Sequence, residues 1–458
     1  MRRSGFSRRD MLRYSATAFG VTCANWLNPF SSPISGPLAR ALASETQRKR
    51  HCILLWMAGG PSQMDTFDLK PGHENGGEFK EIATEVPGLK ISEHLPGLAS
   101  MMKHMAIVRS LSTKEGDHGR GTYLMRTGHA PGTPVKYPTI GSSISKELGT
   151  LSAPLPNYVA VNQNTPFGPE AFSPGFLGPQ FASATVNATA PAPPASNDGE
   201  EGNMENQTPS FAQLRVDNLA VPDGVSTTRA QRRLALWEQM QQDFLATHPV
   251  APAIAHNTIY EQAVRTMNSK EVEAFDLAKE SDAVRESYGS GEFGQGCLVA
   301  RRLVERGVPF VEVSLGANGV GWDTHAQNFE TVKTLSEQLD KGWSTLMREL
   351  EERGLLQDTT ILWMGEFGRT PKINEQGGRD HFPNAWSCAF AGGGISGGQA
   401  YGATSDDGME VKDGKVEVGD VLATLCSAVG IDAETENISP LGRPHKIAEG
   451  TPISGILS

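Results

Sequence analysis

Residues 51–60, HCILLWMAGG, run almost without a polar side chain into a pair of glycines. That is the pattern of a fully buried central strand opening into a functional loop. Four more short apolar runs follow: MAIVRS at 105–110, VPFVEVSLG at 308–316, TTILWMGEFG at 359–368 and WSCAFAGGG at 386–394. VPFVEVSLG, the third of the five runs, comes directly after the helical stretch CLVARRLVERG. Between the third and fourth, Val332, Leu335, Leu339, Trp343, Leu346 and Leu350 recur at spacings of three and four, and Gly354 closes the segment. This spacing predicts an amphipathic helix with a glycine stop. A further helix is expected over VGDVLATLCSAVG. Strands that alternate with helices predict an α/β fold with a mostly parallel central sheet covered on both faces. In such folds the working residues stand on loops at the carboxyl ends of strands.

Two stretches interrupt the alternation. Residues 187–210 are rich in Pro, Ala, Asn and acids and read as a mobile surface loop. Residues about 226–285 read as a helical insertion, a cap or flap beside the sheet, with Leu234, Trp237, Met240 and Phe244 on one face.

The N-terminus has a different character. Arg8 and Arg9 precede a short, weakly apolar run, and ALA at 41–43 supplies a small-x-small cleavage site. Residues 1–43 therefore read as a twin-arginine export signal, followed by a single domain over 44–458. The expected partner is the twin-arginine export machinery, and the expected location is periplasmic or secreted. No later run of about eighteen uncharged apolar residues occurs, so no permanent membrane anchor is expected. A net charge of −11 with no basic stripe argues against nucleic acid. Cys52, Cys297, Cys388 and Cys426 lack zinc spacings and read as small buried hydrophobes.

Composition leaves the chemistry to the strand-end loops. GGPSQMDTFD carries Asp65 and Asp68, and GVGWDTHAQNF carries Asp323 and His325. GEFGRTPKINEQGGRDHFP carries Glu366, Arg369, Arg379, Asp380 and His381. Carboxylates and imidazoles are ligands for zinc, calcium, manganese or iron. Asp65, Asp323, His325, Glu366, Asp380 and His381 suffice for one or two divalent metal ions. Guanidinium groups in the same loop suit a tetrahedral oxyanion.

Several of these motifs together resemble the family known as domain of unknown function 1501, a sulfatase-like branch of the alkaline phosphatase and sulfatase superfamily. They are GGPSQMDTFDLKPG, HGRGTYLMRTGHAP, ARRLVERGVPFVEV, WDTHAQNF, GLLQDTTILWMGEFGRTPKIN and GRDHFPNAWS. The resemblance implies an alkaline phosphatase/sulfatase-like fold. YLMRTGHAP is similar to the end of the nucleophile-bearing helix of sulfatases, which puts His118 at the nucleophile position. DTTILWMGEFG is similar to a ligand-bearing strand, which puts Glu366 where a metal-binding Asp stands and Phe367 where a ligand His or Asn would stand. Neither Ser nor Cys fills the nucleophile position, so formylglycine chemistry is excluded there. His118 is open as nucleophile, metal ligand, acid/base or helix cap, and Thr122 is a second nucleophile candidate. Arg369 and Arg120 would neutralise developing charge.

The expected function is an exported metal-dependent hydrolase of phosphate or sulfate esters, acting on a small-molecule or polysaccharide substrate. The alternative is a non-catalytic exported binding or envelope-associated protein on the same scaffold.

Overall fold

Every side chain of His51–Met57 (β1) is buried, yet the strand serves two different cores. Ile53, Leu55 and Met57 enter one hydrophobic cluster, while Cys52, Leu54 and Trp56 enter another. The two-residue period of a strand imposes that division, and a sheet covered on both faces uses it.

The computed structural model describes residues 50–163, 168–189, 211–216, 219, 221, 224–316 and 321–458. Residues 1–43, expected to be an export signal, and residues 190–210 of the acidic, Pro-rich stretch lie outside the described residues. Residues 187–189 complete a strand rather than starting a loop.

Eight further strands build the main sheet. They are Met105–Leu111 (β2), Tyr158–Val161 (β3), Ala184–Thr189 (β4), Gln213–Arg215 (β5), Phe310–Leu315 (β6), Thr359–Gly365 (β7), Trp386–Gly392 (β8) and Gln399–Tyr401 (β9). Their order across the sheet is β9-β2-β8-β7-β1-β6-β3-β4-β5. Strands β7, β1, β6, β3 and β4 are mutually parallel. β8 runs antiparallel to both of its neighbours, and β5 forms an antiparallel edge. The sheet is therefore mixed but mostly parallel, and β1, β6 and β7 deliver their carboxyl ends to one edge.

Helices cover both faces. His118–Thr127 (α1) and Ile140–Leu148 (α2) come early; Thr227–Thr247 (α3) and Ala251–Met267 (α4) form the central helical segment. Glu292–Glu305 (α5), Asn328–Glu352 (α6) and Val418–Ala428 (α7) follow. α5 and α6 bury Cys297, Leu298, Val332, Leu339, Trp343 and Leu346 on the first face. α7 buries Val421, Leu422 and Leu425 on the second, beside Ile140 and Ile144 of α2. α3 buries none of its residues. Trp237 stacks on Tyr260 of α4, whereas Met240 and Phe244 stay exposed, so the four-residue stripe read from the sequence is split between two faces.

One buried ion pair ties α1 to the sheet. Arg126 reaches Glu312 of β6 in bidentate fashion at 2.9 and 2.5 Å, and Tyr158 donates to the same carboxylate at 2.6 Å. Burial of a charge is tolerated only with pairing of this kind. The anchored helix holds its first residue at the edge of the sheet where β1, β6 and β7 end.

Candidate metal centre

The loops that meet at this edge approach too closely for ordinary residues. Gly59 follows β1 with φ +106°, and a Cβ there would lie 2.5 Å from the Asp323 nitrogen and 2.7 Å from the Trp322 nitrogen. Glycine alone accepts both the backbone angle and the contact. Trp322 in turn donates its backbone N–H to Ala58 at 2.9 Å, so the β1 and β6 loops are stitched together. The Gly59 N–H donates to Glu366 Oε1 at 2.9 Å, which adds the β7 loop.

His118 is the first residue of α1. It does not cap the helix; Asp117 does so, accepting the Arg120 N–H at 3.0 Å. His118 Nδ1 instead hydrogen-bonds Glu366 Oε1 at 2.7 Å, and its Nε2 lies 3.3 Å from Asp323 Oδ2. His381 repeats the arrangement. Its Nδ1 meets the Gly116 carbonyl at 2.7 Å, and its Nε2 lies 3.2 Å from Asp323 Oδ1. His325 repeats it again, with Nδ1 on Asp380 Oδ1 at 2.8 Å and Nε2 at 3.1 Å from Asp323 Oδ1. The Nε2 atoms of His325 and His381 are 3.1 Å apart.

Three imidazoles thus have Nδ1 fixed by an acceptor and Nε2 turned toward one carboxylate. With the Nδ1 protons so committed, each Nε2 presents a lone pair to carboxylate oxygens. Only positive charge makes such a contact favourable, as ring protons or as a metal cation. The electrostatics express the same demand. Burial opposes protonation of His118, but its hydrogen bonds to Asp323 and Glu366 prevail and raise its pKa to about 9. Burial also works against the Asp323 carboxylate, yet His118, His381 and Arg369 outweigh it and hold the group well below the usual carboxylate range. The hydrogen bond from His325 lowers Asp380. Glu366 is 1% exposed, and its Oε2 is buried without a hydrogen-bond partner. Among the described residues, His118, Asp323 and His381 form the group whose potential ligand atoms all lie within 4.8 Å of one another.

The other residues singled out from the sequence fall into different places. Arg369 is fully buried and fully committed. It donates to the carbonyls of Gly59, Gly60 and Arg379 and to Asp323 Oδ1, the last at 2.6 Å. It fixes the ligand loop rather than presenting a free guanidinium. Asp65 is not brought into the cluster. Arg379 grips both of its oxygens at 2.7 and 3.1 Å, and Asn328 donates at 2.9 Å, which makes Asp65 a buried structural anion. Arg120 is exposed and bound to Glu115 at 2.6 and 2.7 Å, with no hydrogen bond to the cluster. Asp68 contacts Lys70 and Thr404, and Thr122 is buried within α1. Phe367, at the position where the resemblance implies a ligand, packs its ring 5.0 Å from His118 and 4.5 Å from His381.

By its sequence the chain belongs to the protein family of unknown function DUF1501, whose model matches residues 49–457. No curated protein matches it. Several solved structures are similar at low identity. One is a sulfatase from Pseudoalteromonas sp., 12% identical over 86% of this chain and 70% of that one, with a TM-score of 0.37. Another is a lipoteichoic acid synthase from Listeria monocytogenes, 8% identical over 84% and 72%, with a TM-score of 0.39. A third is the alkaline phosphatase of the Antarctic bacterium TAB5, 11% identical over 84% and 100%, with a TM-score of 0.36.

Proposed function

We propose that this member of the DUF1501 family is a divalent-metal-dependent hydrolase of phosphate or sulfate esters. The observation that carries the reading is the convergence of three imidazole Nε2 atoms on the Asp323 carboxylate, each ring held from behind by an acceptor. Metal-ligating histidines commonly donate their second ring N–H to a carboxylate or a carbonyl, as these do. The donor set of imidazole and carboxylate suits zinc, manganese or iron, and the unpartnered Glu366 oxygen adds a buried negative charge to balance a cation.

In this reading His118, Asp323 and His381 hold the ion, with His325 adjoining. A divalent cation bound there supplies Lewis acidity toward an ester oxygen. Glu366 keeps the His118 ring oriented, Asp380 does the same for His325, and Arg369 keeps Asp323 in place. Both nitrogens of His118 are engaged, which favours a ligand role over that of a free nucleophile. The α1 N-terminus adds partial positive charge beside the cluster. The ester class rests on the sequence patterns YLMRTGHAP and DTTILWMGEFG, which resemble the sulfatase and alkaline phosphatase superfamily.

The twin-arginine pattern places the activity outside the cytoplasm in the same proposal. Among the described residues, no helix is long and apolar enough to cross a membrane. The experiment is a panel of aryl phosphates and aryl sulfates with zinc, manganese, calcium and iron in turn. Turnover that disappears in Asp323→Asn and His381→Ala supports the hydrolase; bound metal with silence across the panel favours the non-catalytic binding protein.

A further inference from the structure

We propose that α3 is a homodimerisation helix, pairing antiparallel with α3 of a second copy of this chain. Its two faces differ sharply. Ala230, Leu234, Trp237, Gln241 and Leu245 are half-buried, whereas Leu236, Met240 and Phe244 are 59%, 62% and 48% exposed. Leu236, Met240 and Phe244 recur every four residues and form an apolar stripe about two turns long, continued toward the helix start by Arg233 and Arg229. Exposed large apolar side chains gathered on one stripe mark a contact surface rather than ordinary surface scatter.

The charges along that stripe identify the occupant. Arg229, Arg232 and Arg233 occupy the first turns, and Asp243 lies near the end. All four are exposed. An antiparallel pairing centred on residue 238 sets Leu236 against Met240 of the second copy at the middle of the contact. On one flank Arg232 then lies at the level of the second copy's Asp243, about one residue apart along the axis. On the other flank Arg233 lies beside the second copy's Phe244, where its guanidinium can cover the ring. Each contact occurs twice by symmetry, as in an isologous two-fold interface. A parallel pairing would instead keep Arg232 and Asp243 at opposite ends of the contact, eleven residues apart along the axis. The stripe is complementary to itself only when reversed, which a second copy of the same helix provides.

The test is the oligomeric state in solution by sedimentation velocity over a concentration series. The wild type is expected to dimerise and Met240→Glu to be monomeric. Arg232→Glu weakens the dimer about tenfold, since two ion pairs become repulsions. Arg232→Glu combined with Asp243→Arg restores it. Because α3 buries none of its residues, these variants keep the wild-type circular dichroism. A monomeric wild type, a dimer indifferent to Met240→Glu, or a charge-swapped double variant that stays dissociated would each overturn the proposal, leaving the stripe to another partner.

Discussion

His118 and Glu366, separated by 248 positions in the chain, meet through a 2.7 Å hydrogen bond between Nδ1 and Oε1. The contact joins the first turn of α1 to the end of β7 and leaves the Nε2 atom facing Asp323. Glu366 also accepts the Gly59 N–H at 2.9 Å, so one carboxylate oxygen sets both the ring and the neighbouring loop.

Glu366→Gln tests that orienting role. The amide preserves size but removes the charge behind His118. Loss of such a supporting partner typically costs about 10–100-fold in metal affinity. Isothermal titration with zinc should show that loss while the melting temperature changes little; an unchanged affinity would remove Glu366 from the account.

Asp65 separates a ligand from a structural anion. Asp65→Asn leaves the buried Arg379 guanidinium without its carboxylate, and stability should fall by roughly 3–5 kcal/mol in urea denaturation. Metal content of the folded fraction should stay at the wild-type level. A variant of normal stability that lost its metal would reverse the assignment.

Gly59→Ala probes the crowding of the loops. A methyl group must displace the Asp323 backbone, 2.5 Å away, and adopt a strained positive φ. The expected cost is about 1–3 kcal/mol, with metal affinity lost as the Asp323 loop shifts. Wild-type affinity and stability together would mean that the loops move freely.

Acid sensitivity has a source outside the candidate metal centre. Burial works against the Glu280 carboxylate, but Arg302 and Arg301, the latter at 2.9 Å, prevail and lower its pKa. A lowered folded-state pKa gives stability that is present above the unfolded value of about 4.3 and lost as pH falls through the folded value. Glu280→Gln should therefore cost on the order of 1 kcal/mol at pH 7, and the gap to wild type should close at acid pH. A gap constant from pH 7 to pH 3 would contradict the ion-pair account.

Much of this architecture was legible in the sequence, because apolar runs long enough to cross a sheet have few alternatives. The five runs from HCILLWM to WSCAFAG are all strands, and the three-four spacing from Val332 to Leu350 is a helix. Strand direction was not legible: nothing in WSCAFAG distinguishes an antiparallel strand from a parallel one. The strands β3 to β5 on one side of the sheet were missed because four-residue YVAV and polar ATVNAT carry too little pattern. At the site, Asp323, His325, Glu366, Asp380 and His381, read from strand-end loops, lie together at one edge of the sheet. Which acid faces which partner depends on contacts spanning hundreds of residues. Asp65 finds Arg379 rather than a histidine, and Arg120 finds Glu115, five residues away.

The central claim is that His118, Asp323 and His381 bind a divalent cation. The most direct measurement is metal content by mass spectrometry, before and after chelation and zinc reloading, for the wild type and for His118→Ala, Asp323→Asn and His381→Ala. At least one equivalent of tightly held divalent metal is expected in the wild type, with its loss in each folded variant. A wild-type protein that folds normally yet takes up no divalent metal, or variants that retain it at full occupancy, would contradict it.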